Sequence, residues 1–157
     1  MSGEVLSRIR TLLNEACIPY REARHGPTRT SQEAADARGE PIRIGGKAIV
    51  AKVDKEFHLF VLSAALGLNS RAICRHLKAQ RFRFARGEEL KELTGLVPGC
   101  VPPFGRPILD LDLYVDDSIL LNDRIAFNAG SLTDSMIMDR ADYIRIAEPR
   151  EIFAFSR

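Results

Sequence analysis

Lys47 opens an apolar run, KAIVAKV, that ends at Val53. Extended side chains alternate faces, so Lys47 shares one face with Ile49, Ala51 and Val53. Lys52 takes the other, beside Ala48 and Val50. A lysine at the open end of an apolar face can carry its ammonium to a cavity mouth, where it would attract phosphate or carboxylate. The alternative is an ordinary solvated lysine at a strand end. The second unusual segment is Gly99-Cys100-Val101-Pro102-Pro103-Phe104-Gly105. Two prolines fix φ and remove two amide donors, while Gly99 and Gly105 permit backbone conformations closed to other residues. Such a stiff loop can hold its remaining amides at fixed positions. Amides aimed at a carbonyl oxygen are what acyl-transfer chemistry uses for its oxyanion. The plainer reading is a rigid connector.

Other reactive types lack a supporting pattern. Cys100 as a nucleophile would need a base, and no local motif ties it to His25, His58 or His76. His58 sits within a strand and reads as structural, His76 sits in a basic helix and reads as surface, and His25 sits in a turn where it can line a site. Asp110/Asp112 and Asp116/Asp117 lack the oxygens and the glycine turn of a calcium loop and read as a charged outer strand face. Nucleophile-elbow, P-loop, zincin and dinucleotide-binding patterns are all missing from the sequence. No metal and no cofactor is implied. Arg71, Arg75, Lys78, Arg81, Arg83 and Arg86 form a cationic block uninterrupted by acids. Such a block suits phosphates, or is a solvated face.

The elements that must position these residues follow from pattern. Val5, Ile9, Leu12, Leu13 and Ala16 mark an amphipathic helix over 4–16, stopped by Pro19. Tyr20 begins an extended segment. Thr30 and Glu33 form a capping box for a helix ending near Arg38, with Gly39 and Pro41 beyond it. Lys47–Val53 and Phe57–Leu62 read as a hairpin. A helix over 71–78, a strand over 81–85 and a helix over 88–93 follow. Strands are expected over 108–115, 124–128, 135–138 and 152–155, with a last short helix capped by Asp139. Short strands that do not alternate regularly with helices predict an α+β fold on a curved antiparallel or mixed sheet.

Length and composition agree. The chain has 157 residues, 45% hydrophobic and 28% charged, with a net charge of +2. That predicts one ordered domain over 1–157 and excludes a membrane helix. The net charge is too small to identify a nucleic-acid binder by itself. Three widely spaced cysteines without a CxxC pair fit a reducing compartment, and the N-terminus lacks a secretory signal. The expected location is the cytoplasm.

Taken in order, His25, the capped helix TSQEAADARG, GGKAIVAKV, FHLFVLSA, LTGLVPGCVPPFG and FNAGS resemble the YbaK/EbsC family, relatives of the prolyl-tRNA synthetase editing domain. The resemblance runs from about Tyr20 to Phe155. Its most specific element is the Gly99-x-x-x-Pro103 loop. It implies a compact α+β fold with a strongly curved, barrel-like mixed sheet and flanking helices. It also implies deacylation of mischarged aminoacyl-tRNA in trans, without a cofactor. Lys47 and Gly99 match functional positions, the lysine holding the acceptor end and the loop amides holding the carbonyl. His25, Thr30, Cys100, Val101, Pro102, Pro103, Gly130 and Ser131 would border the substrate. Arg71, Arg75, Lys78, Arg81 and Arg83 would meet the tRNA. An aminoacyl-tRNA synthetase is a second candidate partner. The alternatives are a non-catalytic acceptor-end or nucleotide-binding module on the same fold, and a hydrolase dependent on Cys100.

Overall fold

The computed structural model describes residues 2–157. Helix α1 (Ser2–Glu15) lays Val5, Leu6, Ile9 and Leu13 into the main core, as its apolar stripe dictates. Strand β1 (Tyr20–Arg24) follows, then α2 (Ser31–Arg38). The Thr30 hydroxyl accepts the Glu33 N–H at 3.1 Å, and Gly39 closes the helix at φ +71°. Strands β2 (Gly46–Val53) and β3 (Glu56–Ser63) form the expected antiparallel hairpin. Helix α3 (Ser70–Leu77), strand β4 (Phe82–Phe84) and helix α4 (Gly87–Thr94) come next. After a long irregular stretch come β5 (Leu113–Asp116), β6 (Arg124–Asn128) and β7 (Asp134–Asp139). Helix α5 (Arg140–Ala147), capped by Asp139, and β8 (Glu151–Phe153) close the chain.

The single barrel-like sheet is not what forms. The strands divide into a five-stranded mixed sheet, β4-β2-β3-β5-β8, and a three-stranded antiparallel sheet, β1-β7-β6. An isolated bridge between Gly45 and Ala126 links them, and neither sheet closes on itself. Helix α1, the irregular stretch after α4 and α5 pack with residues of both sheets in the main core. A second core covers the opposite face of the larger sheet, where Ile73 of α3 meets Ala51, Val53 and Phe60.

The strand expected over 108–115 is also shorter, because Arg106–Asp112 turns instead of extending. Asp110 and Asp112 therefore do not form an outer strand face. Arg106 bonds both, at 2.7 and 2.5 Å, and Arg150 reaches Asp112 at 3.3 Å. Asp116 is buried and accepts the amides of Ser118 and Phe155, at 3.0 and 2.6 Å.

Candidate functional site

Strand β2 pairs with β3 along its whole length, but with β4 only at Ala51, Lys52 and Val53. The Ala64 N–H donates to Gly45 O at 2.8 Å, and the Ala85 N–H to Val50 O at 3.0 Å. Those two bonds set the phase of the ladder. Odd-numbered residues of β2 turn their main chain toward β3 and even-numbered residues toward the opposite edge. Ala48 therefore presents its N–H and C=O on an edge that no strand covers among the described residues. A cavity of about 330 Å³ lies along it, lined by β2, by the start of α2, and by the loop after α4.

Lys47 lines this cavity. Its Nζ donates to Leu66 O at 2.6 Å, and burial pushes its pKa below the ordinary lysine value. Thr30 lines the cavity as well, its hydroxyl already serving as the cap of α2.

Gly99 and Val101 supply the opposite wall. Gly99 has φ +90°, outside the range comfortable for a side chain. Its carbonyl accepts Asn128 Nδ2 at 2.6 Å. Gly105 does not have positive φ; it is glycine because a Cβ there would meet Leu111 O at 2.5 Å. The Cys100 N–H is spent on Val97 O at 3.1 Å, and the Cys100 carbonyl accepts Gly130 N–H at 3.0 Å. The loop amides that remain beside the cavity are those of Gly99 and Val101.

Several expected site residues support the wall from behind rather than lining it. Pro102 and Pro103 are buried, and Pro103 O accepts the buried Tyr143 hydroxyl at 2.6 Å. Ser131 Oγ donates to Asp134 at 2.7 Å and accepts the amides of Thr133 and Asp134 in the turn between β6 and β7. Gly130 takes φ +85° in that turn. His25 reaches Ser135 Oγ from Nε2 at 2.9 Å. Cys100 is buried, which pushes its thiol pKa up, and none of the three histidines bonds it. A thiolate nucleophile is therefore disfavoured.

Three residues of the cavity were not singled out as site residues in the sequence, although two of them, Arg38 and Asn128, fall inside the segments TSQEAADARG and FNAGS. Arg38 is buried, with no carboxylate in ion-pair range among the described residues; it donates to Ser135 Oγ at 3.2 Å and Asn128 Oδ1 at 2.9 Å. Burial lowers its pKa to about 10, so the guanidinium stays charged at neutral pH. Asn128 joins that guanidinium to the Gly99 carbonyl. Arg29 lines the mouth as an exposed cation. The apolar periodicity that marks α2 and β6 carries no information on these inward polar contacts.

The cationic block lies elsewhere. None of Arg71, Arg75, Lys78, Arg81 or Arg83 lines the Lys47 cavity. Arg71 and Arg75 are exposed on α3. Lys78 and Arg81 line a second groove around the β2–β3 turn, with the partly buried His58, whose Nδ1 has no partner among the described residues. Arg83 is held by Glu89 through two bonds of 2.8 and 2.9 Å. His76 stacks on Phe153 at 3.8 Å and bonds Glu151.

Fold and cavity define a single α+β domain whose cleft is bounded by a lysine-bearing strand and a stiff glycine-proline loop. A family model described as the aminoacyl-tRNA editing domain matches residues 25–146. The chain belongs to that family, the YbaK group, and is an aminoacyl-tRNA deacylase by class. It is 35% identical to the multifunctional Ser/Thr-tRNA deacylase ProXp-y of Escherichia coli K12, over 96% of this chain and 92% of that protein. It is 35% identical over 101 residues to the proline–tRNA ligase of Shouchella clausii, covering 64% of this chain and 18% of the ligase. The fold matches a crystal structure described as a candidate trans-editing enzyme for prolyl-tRNA synthetase, with a TM-score of 0.81 at 24% identity, covering 98% of this chain and 97% of that one. No helix among the described residues is long and apolar enough to cross a membrane.

Proposed function

We propose that the chain, acting as one editing unit over 1–157, hydrolyses mischarged aminoacyl-tRNA in trans at the ester of the 3′-terminal adenosine. The observation that carries this reading is the convergence of Lys47, Gly99 and Val101 on one cavity. Water adds to the ester carbonyl, and the bond to the ribose oxygen breaks. The products are the free amino acid and a tRNA with its terminal hydroxyls restored. The N–H groups of Gly99 and Val101 are the candidate donors to the oxyanion. One such donor is worth roughly 10²–10³ in rate. An ester is already activated, so held donors and positioning suffice without a side-chain base. The 2′-hydroxyl, cis to the ester oxygen on the same ribose, can relay the proton to the departing oxygen. Lys47 supplies a point charge for the acceptor-end phosphates. The cytoplasm, where charged tRNA is used, is the working compartment, and three free thiols agree with it.

The Escherichia coli relative acts on Ser/Thr-tRNA, which makes seryl and threonyl esters the first to test. Purified protein is incubated with a panel of mischarged tRNAs and release of the amino acid is followed. Hydrolysis of at least one, lost in Lys47→Ala and in Gly99→Ala, is expected. A protein inert on the whole panel would overturn the reading.

A further inference from the structure

Phe84 is more than half exposed, at 57%, yet it forms part of the cavity wall. Its backbone and one side of its ring are held by neighbours. It stands directly opposite Ala51 in the β2–β4 ladder, and the next residue, Ala85, bonds Val50 O at 3.0 Å. Its ring meets Phe82 edge-on, with centroids 5.5 Å apart at 84°. Phe82 in turn packs against the fully buried Phe60 at 6.2 Å. The ring is thus propped from behind by the second core and open in front.

Cross-strand partners share a face, so Phe84 lies on the Ala51 side of the sheet. Strand alternation puts Ile49 and Lys47 on that same side. Lys47 is four residues from Ala51, roughly 13 Å along the strand. One face therefore carries, in order, an ammonium, an apolar step at Ile49 and an open aromatic ring. The closed wall at Gly99 and Val101 lies across the β2 edge from this row.

A substrate whose ester sits against Gly99 has its sugar and base at the mouth. An unpaired base has an apolar π-face, and proteins take single-stranded RNA ends by stacking such bases on aromatic rings. A ring already immobilised loses little entropy when it does so. We propose that Phe84 is the stacking platform for the base of the 3′-terminal nucleotide of the tRNA. The inference rests on the deacylase reading above and names how that substrate is gripped. Stacking is tolerant of base identity because every base has a π-face.

The chain contains no tryptophan, so Phe84→Trp places a single indole at the site. The probes are uncharged RNA hairpins ending in CCA, in CCU, and in CC followed by an abasic nucleotide. Indole quenching by the first two and its loss with the third are expected. In steady-state deacylation, Phe84→Ala raises KM about fivefold to a hundredfold, the worth of one stacked base, with kcat much less changed. Phe84→Trp and Phe84→Tyr keep a low KM. Phe84→Leu, which remains apolar without a π-face, does not. Equal quenching by the abasic hairpin, no quenching at all, or a wild-type KM in Phe84→Leu overturns the platform. Wild-type deacylation is measured alongside. Activity there without base-dependent quenching overturns the platform alone, whereas an inactive wild-type protein overturns the parent reading.

Discussion

Asn128 Nδ2 donates to the carbonyl of Gly99 at 2.6 Å, from the last residue of β6 to the turn that walls the cavity. The other end of the same amide accepts from buried Arg38 at 2.9 Å. A charged group on α2 and a glycine at φ +90° are thereby coupled through one side chain. The orientation of the Gly99 peptide, and so of the amides beside it, depends on that amide as much as on the loop's own prolines.

Asn128→Asp replaces the donor with a carboxylate facing a carbonyl oxygen, while keeping the size and the contact to Arg38. The lost bond and the new repulsion together are worth about 1–3 kcal/mol, or roughly fivefold to 150-fold in kcat. KM should change less. Single-turnover deacylation compared with steady-state KM tests this; equal activity would make Asn128 a structural cap only.

Gly99→Ala must place a Cβ at φ +90° and 3.2 Å from Leu132 Cδ2. Backbone strain of this kind costs about 1–3 kcal/mol. Turnover should fall more than binding, the signature of an interaction made mainly in the transition state. Gly105→Ala is the contrasting control. Its Cβ would meet backbone at Leu111 O, so it should lower thermal stability by a similar or greater amount. Thermal unfolding and kinetics on both variants separate the two roles.

Tyr143→Phe removes the hydroxyl that Pro103 O accepts inside the core. An unsatisfied buried carbonyl costs about 1–3 kcal/mol. At roughly 2–4 °C per kcal/mol for a chain of this size, Tm should fall by about 2–12 °C. Burial raises the phenol pKa, so the hydroxyl keeps its proton at neutral pH and the effect should be flat there. A Tm that is unchanged would show the loop to be anchored by packing alone.

Lys47 gives a pH signature. Burial depresses its folded pKa below the unfolded value, so the folded protein releases this proton first as pH rises. Burying the ammonium weakens stability below that folded pKa, and the penalty is relieved as pH rises toward the unfolded value. Its attraction for phosphate runs the other way: present when protonated, and lost as pH passes the depressed pKa. Affinity for uncharged tRNA should therefore begin to fall below the pH expected of an ordinary lysine. Lys47→Ala should abolish that alkaline limb, and Lys52→Ala should leave it. Fluorescence titration of binding against pH checks both.

Arg29 should contribute directly to the acceptor end, and the α3 cations only at a distance. Binding of uncharged tRNA measured against salt should lose about 0.7–0.9 in log–log slope for each phosphate contact removed. Arg29→Ala should reduce the slope by about one contact. Arg83→Ala should change it little, because that guanidinium already holds Glu89. If reversing Arg71 and Arg75 leaves the affinity unaltered, the basic helix is a solvated face.

The local elements were legible because each is written in neighbouring residues. Thr30 and Glu33 mark the start of α2. The alternation from Lys47 to Val53 marks β2, and the apolar stripe of α1 marks the face it buries. The Gly99–Pro103 loop announced itself by composition, since two prolines and a positive-φ glycine constrain a backbone whatever surrounds it. The stretch over 108–112 turns although the sequence predicts strand there, because Leu109, Leu111 and Leu113 alternate with acids, the same pattern a strand would show. Arg106 and Arg150, which pair with those acids, lie outside that window.

What the sequence determined by itself is therefore the set of helices and strands and the two segments, around Lys47 and around Gly99, that come to line one cavity. The tertiary structure decided which strands pair, and hence that two sheets form where one curved sheet was expected. It also left the Ala48 edge of β2 open to a cavity. It decided the partners of the site as well. Arg38, Asn128, Arg29 and Phe84 reach that cavity from α2, β6, the turn before α2 and β4, while the cationic block that stood out in the sequence lies outside it. The physical reason is range. Capping, alternation and φ preference act over a few residues and are encoded there. A contact such as Asn128 to Gly99 spans 29 positions and exists only after the core has brought the two segments together.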